Sequence, residues 1–131
     1  MGSFANFWEN EILDHLFGKG SYTPPTIYVG LSTADPGDDA AGLAEPSGNG
    51  YARVSTGAVD WNAASGGAID NANDITFPQA TGDWGTLTHF ALFDAATAGN
   101  MLAHGSLGVS KIISSGDTAK FAAGDLDVTL D

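Results

Sequence analysis

Three histidines and sixteen carboxylates are the side chains with which this 131-residue chain could carry out chemistry. Catalysis by such groups needs a nucleophile beside a base, a metal cage, or carboxylates whose pKa values are driven apart. His15 follows Asp14 near the end of a helical pattern, where an imidazolium would complement the helix dipole. His89 and His104 fall in consecutive strand-like segments that can pair as a hairpin. Across such a ladder they could meet and bind a metal, but the pattern favours ordinary strand residues. Asp35, Asp38, Asp39 and Glu45 supply hard oxygen ligands of the kind Ca²⁺ takes, about six to eight at a time. The alternating D-x-D-x-D-G spacing that turns every second oxygen inward is absent, so these four read as a solvated acidic loop. No HExxH, GxSxG, P-loop or GxGxxG pattern is present. The residues therefore predict no catalytic site, no metal site and no cofactor, and the chain is expected not to be an enzyme.

The elements that must position these groups follow from periodicity. Phe4, Phe7, Trp8, Ile12, Leu16 and Phe17 recur near helical spacing and predict one amphipathic helix over 3–17, with Ser3 as its cap and Gly18 as its C′ residue. After Tyr22-Thr23-Pro24-Pro25 the period changes to two. Segments 26–32, 51–55, 68–70, 75–78, 87–93, 101–107, 111–113, 118–121 and 126–130 read as short strands between Gly, Asn and Asp turns. About seven to nine such strands at this spacing predict an all-β fold, an antiparallel β-sandwich of jelly-roll type, in a single domain spanning 1–131 with the sandwich over 26–131. The stretch 35–50 has little to bury and is expected to be an exposed loop. Trp61 and Trp84 lie at turns, where a tryptophan caps one end of a sandwich core with its N–H bonded to backbone. The competing reading makes them an exposed platform for a glycan, as in a carbohydrate-binding module.

Composition excludes several partners. Only Lys19, Arg53, Lys111 and Lys120 are basic, and the formal net charge is −12. A nucleic-acid surface needs clustered Lys and Arg, and an anionic membrane would repel this chain. No apolar run reaches the roughly 18–20 residues of a membrane span, and no signal peptide is readable at the start. Cysteine is absent, so no disulfide staples the fold. Eighteen glycines are accounted for by many turns.

The order of several motifs resembles a family of small virion structural proteins of tailed bacteriophages. They are Tyr22-Thr23-Pro24-Pro25 before Ile27-Tyr28-Val29-Gly30-Leu31, then Thr33-Ala34-Asp35-Pro36 and Gly50-Tyr51-Ala52-Arg53. In the second half come Ile75-Thr76-Phe77-Pro78, the run from Asp83 to Ala95, Gly105-Ser106-Leu107 and Gly124-Asp125-Leu126-Asp127-Val128-Thr129-Leu130. The resemblance implies a structural part of the virion, assembled in the host cytoplasm, and carries over no catalytic or metal site. Members are tail-fibre-related or plain virion structural proteins. The leading expectation is a capsid decoration (cement) protein bound to the major capsid protein. The second is a tail-fibre or baseplate component bound to tail proteins. Both imply a homo-oligomer, most simply a trimer. The expected contact elements are the helix, through Phe4, Phe7, Trp8, Ile12, Leu16 and Phe17, and the loop, through Asp38, Asp39, Leu43 and Glu45.

Overall fold

The computed structural model describes residues 1–130. In chain order the elements are β1 (Gly2–Phe4), α1 (Asn6–Leu16), β2 (Ile27–Ser32), β3 (Val54–Thr56), β4 (Ala68–Asp70), β5 (Ile75–Thr76), β6 (Gly85–Phe93), β7 (Met101–Ile113), β8 (Lys120–Phe121) and β9 (Asp127–Thr129), with a single 3₁₀ turn at Ala58–Asp60. A seven-stranded sheet runs β3-β2-β6-β7-β1-β9-β4, and β5 pairs with β8 in a second, two-stranded sheet. The fold is all-β with one α-helix, as the periodicity predicts. The sheet is mixed rather than wholly antiparallel, because β1 lies parallel to β9.

That pairing also corrects the start of the helix. Residues 2–4 form a strand wedged between β7 and β9, with Ser3 opposite His104 and Phe4 opposite Ala103. Backbone bonding to two neighbours outweighs the local helical pattern there, and two glycines permit the close approach. A side chain on Gly105 would collide with the Met1 carbonyl and with Gly2. Ala5 takes the N-cap position with no side-chain cap, so Ser3 has no capping role. The first helical N–H, on Asn6, instead donates to the Asp38 carbonyl of the loop at 3.1 Å. The far end is as expected, with Gly18 at φ +73 just past the helix.

The central β6–β7 hairpin buries both faces of the sheet. Phe90 and Leu92 point to one face, opposite Leu31 and Val29 on β2, into a core with Phe77, Trp84, Phe121, Leu126 and Val128. The small β5–β8 sheet covers this face, so the core lies between two unequal layers. Ala91 and Phe93 point to the other face, where Met101, Ala5, Tyr28, Ala40 and Leu43 complete a second cluster. Segments 101–107 and 111–113 are one long strand, β7, interrupted opposite β6 by an irregularity between Leu87 and His89. Asn71, wholly buried, holds the turn before β9 in place. Its side chain donates to the carbonyls of Asn73 and Ala122 and accepts from the Leu126 N–H.

Gly30 sits on the second face with no room for a methyl group. A Cβ there would lie 2.9 Å from Glu45 Oε1, from a Phe93 ring carbon and from the Tyr51 hydroxyl. Gly30→Ala should therefore lower unfolding stability by about 1–3 kcal/mol, the usual cost of overpacking, measured as a shift in the urea midpoint. An unchanged midpoint would show that the loop over Gly30 is loosely held.

Candidate functional site

The loop over 35–50 is exposed at most of its positions, but Pro36, Ala40 and Leu43 to Pro46 turn inward and make it a strap across the second face of the sheet. Pro36 is buried, and Ala40, Leu43 and Glu45 are half-buried, whereas Asp38 and Asp39 remain exposed. Two hydrogen bonds tie it to the end of β2: the Thr33 N–H donates to the Ala44 carbonyl, and the Ala44 N–H donates to Ser32 Oγ. Glu45, one of the expected surface contacts, is committed inside the fold. Its Oε2 accepts from Arg53 Nη2 at 2.7 Å and its Oε1 from Arg53 Nε at 3.0 Å and from the Tyr51 hydroxyl at 2.6 Å. The Arg53 guanidinium lies 3.4 Å over the Phe93 ring and donates to the carbonyls of Ala95 and Ala98 in the β6–β7 turn. Only 5% of the Arg53 side chain and 20% of that of Glu45 reach solvent. Leu43 likewise packs on the cluster of Ala91, Phe93 and Met101.

His89 and His104 do share a face. Their strand positions are diagonal neighbours, since His89 pairs with Ser106 and His104 with Ala91. His104 Nε2 lies 2.7 Å from Asp38 Oδ1, and Asp35 Oδ1 lies 3.8 Å from His104 Nδ1 and 3.9 Å from His89 Nε2. His89 Nδ1 is 2.8 Å from Thr88 Oγ1. The cluster thus fastens the strap to the sheet. Among the described residues no group of three or more His, Cys, Asp or Glu side chains is arranged to hold a metal ion. His15 stands apart from this pair, accepting at Nδ1 from the Tyr22 N–H at 3.3 Å.

The aromatic residues divide. Trp84 is buried and donates from Nε1 to the Asn49 carbonyl at 2.8 Å, the lid role expected of it. Trp61 is half-buried and donates to Thr56 Oγ1. Trp8 donates to the Tyr22 hydroxyl at 2.8 Å. All three indole N–H groups are therefore used within the chain, while Trp8 and Trp61 are only half-buried and keep part of their rings open to the surface. Phe4 and Trp8, with ring centroids 4.7 Å apart, line an open apolar trough of about 630 Å³. Ala58, Trp61 and Ile69 line it too, together with the buried Leu92 and Val128. This size falls within the roughly 300–1,000 Å³ of typical ligand pockets. Of the expected helical contacts, Phe4, Phe7 and Trp8 pack on the core and Ile12 is half-buried, while Leu16 and Phe17 project into solvent. The trough leaves no signature along the chain because its lining comes from five separate stretches.

Burial and the bond to Glu45 push the Tyr51 hydroxyl far above the usual tyrosine range. Its folded-state value exceeds the unfolded one near 10, so its contribution to stability is full below about pH 10 and declines as pH rises beyond it. Tyr51→Phe should remove this alkaline loss while costing about 1–3 kcal/mol at neutral pH, read from urea unfolding across pH 7–11. Glu45→Ala should cost more, about 3 kcal/mol or above, because it strands the Arg53 charge in the interior. A cost under about 1 kcal/mol would mean that the pair behaves as a surface ion pair.

Among curated proteins none matches the chain. A family model does, over residues 3–129, and its description is "Podophage GP4 fiber I protein gp80". With nearly the whole domain matched, from β1 through β9, the chain belongs to this family of phage fibre structural proteins.

Proposed function

We propose that this domain is a non-enzymatic building block of the phage tail fibre, acting through surface contacts with neighbouring fibre or tail proteins. The observation that carries this reading is the family match across residues 3–129 to a protein described as a fibre component. Of the two roles that the resemblance to virion structural proteins left open, capsid decoration was the first expectation, and the family description favours the fibre alternative over it. The geometry is consistent with a contact role. The polar cluster of His89, His104, Asp35 and Asp38 is occupied in holding the strap, whereas the apolar trough and the end of α1 are open. A net charge of −12 suits a surface that stays clear of packaged DNA.

Separating tails from filled heads and quantifying this chain in each fraction by mass spectrometry tests the assignment. The chain should travel with the tail fraction at a copy number set by the number of fibres. Enrichment in tail-free heads, in hundreds of copies per particle, would return the capsid-decoration reading.

A further inference from the structure

Strand β7 is 13 residues long, but its neighbours do not cover it. On one side β1 pairs with it only at residues 103–105, and on the other β6 offers no partner in register for residues 107–110. Beyond β1, the edge over 106–113 therefore has no strand beside it among the described residues. This stretch borders a groove of about 570 Å³ between the two layers, lined by every second residue from Leu107 to Ile113 and by residues 118–121. Strand β8, within that second stretch, is likewise paired along one edge only, to β5. We infer that the groove receives one extended segment of a neighbouring protein, which adds as a strand along β7 and sets a carboxylate against Lys111.

An open backbone edge takes a strand, because only a strand returns the N–H and C=O groups that it offers. The register gap and Gly108, at φ +79, bend this edge, so the straight edge of a second folded copy cannot follow it, whereas a pliant segment can. Residues 107–113 span up to about 20 Å, the reach of an ordinary strand. Bulges and lysines also blunt edges against pairing, but a blunted edge presents charge along its length. This one leaves Val109 and Ile112 68% and 72% exposed. The preference for a carboxylate follows from the lining. Two of the chain's four basic side chains lie there, Lys111 and Lys120, against one of its 16 carboxylates, Asp125. Lys120 already faces Asp74 at 3.6 Å, whereas Lys111 has no ion pair among the described residues. Charges beyond about 8 Å are largely screened at physiological salt, so these groups rather than the net −12 set the local sign. The fibre reading supplies the neighbouring proteins, and the inference rests on it for that alone.

Amide chemical shifts and hydrogen exchange of the whole chain, recorded by NMR, test this with a short probe, acetyl-Thr-Val-Asp-Val-Thr-amide. The probe should shift and protect amides within 106–113. A probe with Lys in place of Asp should bind about threefold to tenfold more weakly, and Lys111→Glu should reverse that preference. Lys111 is exposed, so the variant should fold, checked by thermal unfolding, and the probe series tests the contact without it. Methylating one alternating set of probe amides should abolish binding and methylating the other should leave it, the signature of a strand paired along one edge. No change within 106–113 with any probe, equal binding of the Asp and Lys probes, or indifference to both methylated sets would overturn the inference. Octanoate shifting the same amides at lower concentration than the probe would make the groove a small-anion site and would overturn it too. None of these results touches the fibre assignment, which fails only in the tail and head fractions.

Discussion

The ion pair between Arg53 and Glu45 is the interaction on which the arrangement of this domain depends. A guanidinium that is 95% shielded from solvent is tolerable only if its donors are used and its charge is met. Here the carboxylate of Glu45 takes two donors, two carbonyls of the β6–β7 turn take another, and the Phe93 ring supports its face. One side chain thus joins the strap to the sheet and to the turn between its two central strands. Gly30 is glycine because Glu45, Tyr51 and Phe93 meet above it. Without the strap, Ala91 and Phe93 would face water, so the pair's worth lies in the apolar cluster that it keeps closed as much as in its own Coulomb energy.

Local pattern made most of the fold legible. The strands at 27–32, 68–70 and 85–93 announce themselves by alternation and β-branched content, and Gly18 marks the end of the helix. Eleven glycines at positive φ bear out the link between glycine excess and turns. What could not be read is what depends on distant partners. Residues 2–4 look helical by spacing but become a strand because β7 and β9 flank them. The strap looks free because its anchors, Arg53 and His104, lie 8 and 66 residues from their carboxylates. Its few apolar residues, Ala40 and Leu43, are too sparse to form a periodic signal. The trough likewise has no signature along the chain, since its walls are assembled only by folding.

The same logic explains why the site resembles no chemistry. Histidines and carboxylates do converge on one face, as a catalytic or metal site would require, but the closest contact, His104 to Asp38, serves to hold the strap. The Tyr51 hydroxyl and the three indole N–H groups likewise donate to internal partners. What the domain leaves uncovered includes apolar surface at the trough and at the end of α1, in a chain whose net charge is −12. That combination, solubility from charge and adhesion from one neutral patch, suits a member of a fibre protein family.

The proposed role has this domain bury its apolar trough against a neighbouring protein within a tail fibre. A reconstruction of the intact particle tests this most directly, by fitting the domain into density and inspecting the trough between Trp8 and Trp61. The expected result is the domain within a tail fibre, with the trough filled by a neighbouring protein segment. Finding it on the capsid lattice, or in a fibre with the trough open to solvent, would contradict it.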